Sequence, residues 1–201
     1  MRKNIYLITL FLIPFFSIAS DSLQVEKLFV IKADLISVAV PVFFKDQSYF
    51  SITPEMNICK KQSVQLQLLF ARINEDYRVE RSIEIVPEYK YYFGKQTIGF
   101  FGGGYLKYIH LTRRYYSEHD NFFHIAKPQQ ELIYESMQNS IAFGPLIGYE
   151  CNFKKHWVGE FIFGYGYSKN ISLRTLVGYH EDFNDETHTD GVLSINIGYR
   201  F

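Results

Sequence analysis

Hydrophobic and polar residues alternate along the last eleven residues of the chain, Gly191 to Phe201. One face of this segment carries Leu193, Ile195, Ile197, Tyr199 and Phe201, and the other carries Ser194, Asn196, Gly198 and Arg200. A period of two predicts a β-strand with one apolar and one polar face. In a transmembrane barrel the apolar face meets lipid and the polar face lines the interior. A strand of a soluble sandwich alternates in the same way, so the rest of the chain must distinguish the two classes.

The same alternation recurs in seven earlier segments. Together they predict eight strands, at residues 29–39, 49–58, 63–73, 82–93, 97–109, 140–152, 157–168 and 191–201. Their lengths are close to the roughly 9–11 residues that a tilted strand needs to cross a bilayer. Aromatic residues cluster near the strand ends of the apolar faces, in the pattern of the two girdles of a membrane barrel.

The predicted connections alternate in length. Short ones at 59–62, 94–96 and 153–156 follow strands two, four and six, and longer ones at 40–48, 74–81, 110–139 and 169–190 follow strands one, three, five and seven. Outer-membrane barrels have short periplasmic turns and long extracellular loops. The sequence therefore predicts an all-β fold, an eight-stranded antiparallel up-and-down transmembrane β-barrel. The competing fold is a soluble lipocalin-like barrel with its apolar face inward.

The polar faces carry ten charged residues among several glycines. They are Lys32, Asp34, Glu55, Glu84, Glu88, Lys90, Lys107, Glu150, Glu160 and Arg200. Side chains fill the narrow interior of an eight-stranded barrel, and buried charges must be paired or hydrated. We therefore expect a structural charge network that plugs the lumen, with an ion or proton path as the alternative. Pro54 and Pro87 fall within predicted strands, where they are candidates for β-bulges because proline removes a ladder hydrogen bond.

The N-terminus and the composition set the compartment. Arg2 and Lys3, an apolar run over 5–18 and the small residues Ser17 and Ala19 predict a secretory signal peptide over residues 1–20. The remaining residues, 21–201, suit a single barrel domain. A formal net charge of zero gives no support for nucleic-acid binding. The two cysteines, Cys59 and Cys151, fall on strands that are not neighbours, which argues against a disulfide.

Candidate chemistry is weak elsewhere. His110, Ser117 and Glu118 lie near the outer rim, where a lipid-modifying enzyme could act, but no spacing places a nucleophile beside a base. His119, His124, His180 and His188 lie near several carboxylates in the longest loops without matching a metal motif. We therefore predict no catalytic residue, no metal site and no cofactor.

Several stretches carry a family resemblance. The clearest are 31–35, 86–93, 99–105, 142–150 and the Tyr199-Arg200-Phe201 end. They resemble a family of small bacterial outer-membrane β-barrel proteins of unknown function, similar in architecture to the OmpA and OmpX barrels. The resemblance implies a fold and a location but no catalytic residues. It also implies that Tyr199 and Phe201 belong to a terminal signal read by the barrel-assembly machinery.

The expected function follows from this fold. The sequence predicts an exported, non-enzymatic outer-membrane protein with a structural or surface-interaction role. Its expected partners are outer-membrane lipid, the barrel-assembly machinery and an extracellular ligand reached through loops 111–138 and 169–189. The alternatives are a lipid-modifying enzyme at the rim and a narrow solute or ion pore.

Overall fold

Eight antiparallel strands close into a barrel in the order of the chain. The computed structural model describes residues 29–37, 39, 46–75, 77–94, 96–117, 131–178 and 187–201. The strands are β1 (Phe29–Asp34), β2 (Gln47–Cys59), β3 (Gln62–Glu75), β4 (Arg78–Tyr92), β5 (Gly99–Tyr116), β6 (Leu132–Asn152), β7 (Trp157–Val177) and β8 (Thr187–Arg200). Each pairs with its chain neighbours, and β1 pairs with β8 to close the ring. The predicted fold class is confirmed.

Alternation of side chains sorts the residues between the two surfaces of the barrel. Large apolar side chains point outward and stay exposed, among them Phe100, Ile147, Phe163 and Leu193. Most inward positions are buried, and the charged residues predicted to face the lumen lie there. The arrangement is the reverse of a lipocalin, whose apolar face points inward. No helix among the described residues is long and apolar enough to cross a membrane.

The first strand is shorter than its pattern predicts. It ends at Asp34 instead of residue 39, and residues 35–37 are helical. The Asp34 carboxylate accepts a hydrogen bond from the backbone N–H of Ile36 at 3.0 Å, and its carbonyl accepts one from the Ser37 hydroxyl at 2.7 Å. An aspartate that caps the first backbone donors in this way starts a helical turn. Asp34 is thus a buried cap at the strand end, a role that the alternation does not reveal.

Strands β5, β6 and β7 extend well past their predicted ends. They were expected to stop near Ile109, to start near Ser140 and to stop near Ser168, yet they reach Tyr116, begin at Leu132 and continue to Val177. Much of the predicted loops 111–138 and 169–189 is therefore paired strand. Backbone pairing continues beyond the apolar belt, where bulges in β6 and β7 interrupt the period of two that the prediction relies on. Residues 118–130 and 179–186 lie outside the described residues.

The mid-strand prolines are not bulges. The β2–β3 ladder skips Pro54 and resumes at Glu55 in the same register, and the β4–β5 ladder does the same at Pro87. Each proline therefore removes a hydrogen bond on one side of its strand without inserting a residue. The bulges lie elsewhere. The pairing skips Ile58 in β2, Ile133 in β6, and Ile171 and Leu176 in β7.

Candidate functional site

The ten charged residues predicted to face inward all lie on the lumenal surface. Nine are buried and Glu84 is half-buried. They do not form one cluster. We distinguish the end of the barrel that carries the short turns, here the short-turn end, from the opposite end with the long connections, here the hairpin end. The charges near the short-turn end join one network, and those further up form separate pairs.

Lys32 stands at the centre of the network at the short-turn end. Its Nζ donates to Glu55, to Glu150 at 3.0 Å and to Glu160 at 2.9 Å. These acids come from β2, β6 and β7, so a single ammonium group on β1 joins three other strands across the lumen. An ammonium has three donors, and here each of them meets a carboxylate.

Lys90 is the second buried ammonium of this network. Its Nζ donates to Glu160, to Glu55 at 3.2 Å and to the Gln65 amide oxygen at 2.6 Å. It also lies 4.8 Å from the centre of the Phe101 ring, a distance at which a cation is attracted to an aromatic face. The same Gln65 donates its amide N–H to Glu88 at 2.7 Å. The amide therefore links the network to the next acid toward the hairpin end.

Tyr92 and Arg200 complete the network. The Tyr92 hydroxyl lies 2.9 Å from Glu150 and 3.2 Å from Glu55, and Arg200 donates to Glu150 at 2.9 Å. We call this set, made of Lys32, Glu55, Lys90, Tyr92, Glu150, Glu160 and Arg200, the lumenal ion network. Its three bases balance its three acids. Charge balance and the hydrogen bonds between its members allow these ions to remain buried in a narrow interior.

The three acids of the network also have the spacing of a cation site. Single oxygens of Glu55, Glu150 and Glu160 lie within 4.8 Å of one another. The Lys32 ammonium bonds to all three, so the protein's own cation takes the place that a metal ion would need. The geometry is therefore that of an internal ion cluster with its charge already matched.

A layer of buried apolar side chains lies in the lumen next to the network. It consists of Val86, Phe101, Tyr105, Ala142, Leu146, Ile162 and Val192, all nearly inaccessible to solvent. The sequence prediction missed it by treating the inward face as polar. The signal was present, because Val86, Leu146 and Ile162 stand in the same alternating rows as Glu88, Glu150 and Glu160.

A glycine makes room for the largest ring of this layer. A Cβ added to Gly148 would lie 2.3 Å from the Phe101 ring and 2.4 Å from the Phe161 carbonyl oxygen. The Phe101 ring in turn lies 5.2 Å from the ring of Tyr92. The absent side chain at Gly148 thus lets the aromatic layer contact the lumenal ion network. Buried ions and apolar groups therefore pack against each other at this level of the lumen.

The charges closer to the hairpin end form smaller sets. Lys107 donates to Asp190 at 2.8 Å and lies 4.0 Å from Glu84, and the Tyr105 hydroxyl donates to Asp190 at 2.9 Å. At the mouth, Glu80 accepts from Arg113 at 3.1 Å and from Arg78 at 2.8 Å. The hydrogen bond with Glu80 raises the pKa of the Arg78 guanidinium. These pairs have fewer partners and more solvent access than the network.

The rim residue considered for catalysis lies on the outside of the barrel. His110 Nδ1 lies 2.7 Å from the Asn139 amide oxygen, and the Asn139 amide N–H donates to the Ser172 hydroxyl at 2.6 Å. The amide stands between the imidazole and the hydroxyl. Nucleophilic catalysis needs a direct hydrogen bond from hydroxyl to base, and Asn139 takes that place here.

Of the remaining candidates, the structure describes only Ser117 and His188. Glu118, His119, His124 and His180 lie outside the described residues. The Ser117 hydroxyl accepts a hydrogen bond from the backbone of Glu131, and His188 is exposed on β8. Both cysteines are free thiols.

The comparisons with known proteins place the chain in a family. A family described as "Protein of unknown function (DUF3575)" matches residues 16–195. The chain belongs to this family. The predicted resemblance to a family of unknown function is confirmed, and the family description assigns no activity to the lumen. No curated protein matches the chain.

One solved structure is similar to the chain in outline. It is the N-terminal β-barrel domain of Pseudomonas aeruginosa OprF, with 11% sequence identity. The alignment covers 87% of this chain and 97% of that chain, with a TM-score of 0.33.

Proposed function

We propose that this protein is an integral protein of a bacterial outer membrane that acts as a closed structural barrel. The single observation that carries the proposal is the inversion of its two surfaces. Lysines and glutamates are buried in the lumen, whereas Phe100, Ile147 and Phe201 are among many large apolar side chains exposed on the outside. Exposure of so many apolar side chains to water is unfavourable, whereas their contact with the hydrocarbon core of a membrane is favourable.

Aromatic side chains support a membrane boundary at the short-turn end. Trp157 and Phe201 both lie within 6 Å, ring centre to ring centre, of Tyr199, and Phe100 lies 4.8 Å from Tyr149. These rings are exposed on the outside. Aromatic belts of this kind sit at the level of lipid headgroups. Short turns are typical of the periplasmic side of outer-membrane barrels, so the short-turn end would face the periplasm and the hairpin end the exterior.

The buried side chains of the lumen support a structural role in preference to a pore. The lumenal ion network and the apolar layer occupy adjacent levels of the interior, and each lysine of the network is wholly buried. A conducting path would need water along the lumen. On this proposal the barrel strengthens the membrane and presents its hairpin end, including the connections over 118–130 and 179–186, to an external partner.

The terminal strand supports assembly by the barrel-assembly machinery. The Phe201 backbone N–H donates to the Phe29 carbonyl at 3.0 Å, and the two rings lie 6.3 Å apart. The last residue therefore closes the ring at the seam between β1 and β8. Removal of Phe201 is expected to reduce the folded protein in the outer membrane, and Ile171→Ala, an exposed change far from the seam, is expected not to.

Fractionation of cells tests the proposal as a whole. The full chain, with residues 1–20 in place, is expected in the outer-membrane fraction with heat-dependent gel mobility. A soluble periplasmic product whose mobility does not change on heating would contradict it. Planar bilayers supply a second readout, since a plugged barrel is expected to give no conductance steps.

A further inference from the structure

Two arginines face each other on the outside of the barrel at the hairpin end. Arg72 of β3 and Arg81 of β4 are direct cross-strand partners, and both are exposed. Residues directly opposite have Cβ atoms about 4.5–5.5 Å apart, and like charges placed there are destabilising. The two guanidinium groups therefore repel each other unless an anion lies between them.

The pair lies one step beyond the apolar belt. Phe70 and Ile83 are the preceding outward partners on the same two strands, and both are exposed large apolar residues. Two residues along a strand span about 7 Å. A membrane whose hydrocarbon covers Phe70 and Ile83 would place its headgroups at the level of the arginines.

The arginine pair is not neutralised by the described part of the chain. The only hydrogen bond of the Arg72 guanidinium there is to the Asn74 amide oxygen at 3.2 Å, and Arg81 has no ion pair among the described residues. The flanking outward partners, Ser48 on β2 and Thr112 on β5, are uncharged hydroxyl residues. Arg114, by contrast, lies 2.7 Å from Glu135.

We propose that Arg72 and Arg81 form a binding site for the phosphate of an anionic lipid headgroup in the outer leaflet. Each guanidinium offers a planar fork of N–H donors that matches phosphate oxygens. A phosphate between the two forks removes their repulsion, and Ser48 and Thr112 supply further hydroxyl donors beside it. The site rests on the proposed membrane location, because the hydrocarbon level sets where the headgroup lies.

Quenching by brominated lipids measures this preference directly. A Phe50→Trp reporter, with Trp157→Phe to remove the native indole, places one fluorophore on the outward face beside Phe70. The refolded barrel is reconstituted into phosphatidylcholine vesicles containing either dibromo-phosphatidylglycerol or dibromo-phosphatidylcholine. Quenching as a function of the brominated fraction gives the relative association constant of the two headgroups.

The Arg72 and Arg81 side chains are expected to favour phosphatidylglycerol by about tenfold. Arg72→Gln with Arg81→Gln is expected to bring that ratio close to one, whereas Arg113→Gln should keep it. Arg113 is the matched control, since its guanidinium faces the lumen mouth and bonds to Glu80. If the double variant does not refold, Arg81→Gln alone is expected to lower the ratio. Inorganic phosphate added to the buffer is expected not to compete.

Three results would overturn the site. They are an unchanged preference in the Arg72/Arg81 variant, an equal loss in the Arg113 variant, and full competition by inorganic phosphate. The assay uses reconstituted protein, so it separates this site from the proposed function. A barrel that prefers phosphatidylglycerol but fractionates outside the outer membrane would overturn the location and leave the site standing. A barrel that fractionates with the outer membrane but shows no preference for phosphatidylglycerol would overturn the site and leave the location standing.

Discussion

The two ends of the lumen solve the problem of buried charge differently. At the short-turn end, Lys32 alone bonds to three acids from three strands, and no charged group of the network has fewer than two partners except Arg200. Toward the hairpin end, Lys107 forms a close ion pair with Asp190 and a longer one with Glu84. The more deeply buried charges thus have more partners, as expected because an unpaired buried ion is costly.

We expect the largest loss of stability when the central ammonium of the network, that of Lys32, is removed. Lys32→Met leaves Glu55, Glu150 and Glu160 with fewer bases than acids in a buried site. We expect the free energy of unfolding to fall by about 3–5 kcal/mol, the usual cost of leaving a buried charge unpaired. Urea unfolding in lipid vesicles, followed by the heat-dependent gel shift, measures it.

A second substitution makes that prediction specific. Glu55→Gln added to Lys32→Met leaves Glu160 with Lys90 and Glu150 with Arg200, each a close pair. We expect the double variant to be more stable than Lys32→Met alone. A double variant that is less stable than the single one would show that charge balance is not what the network provides.

The contact between network and apolar layer is the next test. Gly148→Ala places a methyl group where the Phe101 ring and the Phe161 carbonyl lie. Overpacking of this kind costs about 1–3 kcal/mol. The matched control is Gly104→Ala, whose added Cβ would meet nothing closer than the Gly144 carbonyl oxygen at 3.5 Å. Equal unfolding midpoints for the two variants would contradict the packing described here.

The hairpin-end pair should tolerate change better. Lys107→Met removes one close partner of Asp190, whose side chain keeps some access to solvent. We expect a loss of about 1–2 kcal/mol, below that of Lys32→Met, because the remaining acid can be hydrated. If the free energy of unfolding falls as much as for Lys32→Met in the same assay, the two ends do not differ in the way described here.

The smallest effect is expected on the outer surface. His110→Ala removes one hydrogen bond to Asn139, which is worth about 1 kcal/mol or less. Because Asn139 separates the imidazole from Ser172, we expect the lipid composition of cells carrying this variant to match the wild type. Mass spectrometry of extracted outer-membrane lipids checks it. A modification lost with His110 would instead support an enzyme at the rim.

The sequence predicted the barrel because alternation and loop length depend on local features. The rows of residues around Glu150 and Glu160 identify which side chains turn inward, and the short connections identify one end. Strand ends such as Tyr116 and Val177 could not be found in this way, because bulges at Ile133, Ile171 and Leu176 interrupt the alternation beyond the belt.

The partners inside the lumen were also beyond the sequence. Alternation shows which side chains face the lumen but not their level along the barrel axis. The sequence therefore does not show that Lys32 contacts Glu150 rather than Glu84. Those contacts depend on the stagger of the strands, which closure of the barrel sets. The apolar layer was not predicted for another reason. An eight-stranded lumen is itself a small core, so Val86 and Leu146 can point inward without breaking the pattern.

Single-channel recording from the wild-type barrel in planar bilayers tests the central claim most directly, because the claim is that side chains fill the lumen. Insertion is verified by the heat-dependent gel shift of protein recovered from the same preparation. The filled lumen predicts a flat current with no discrete steps. Reproducible steps of one defined size from wild-type protein would contradict it, since they require a continuous path of water past the lumenal ion network.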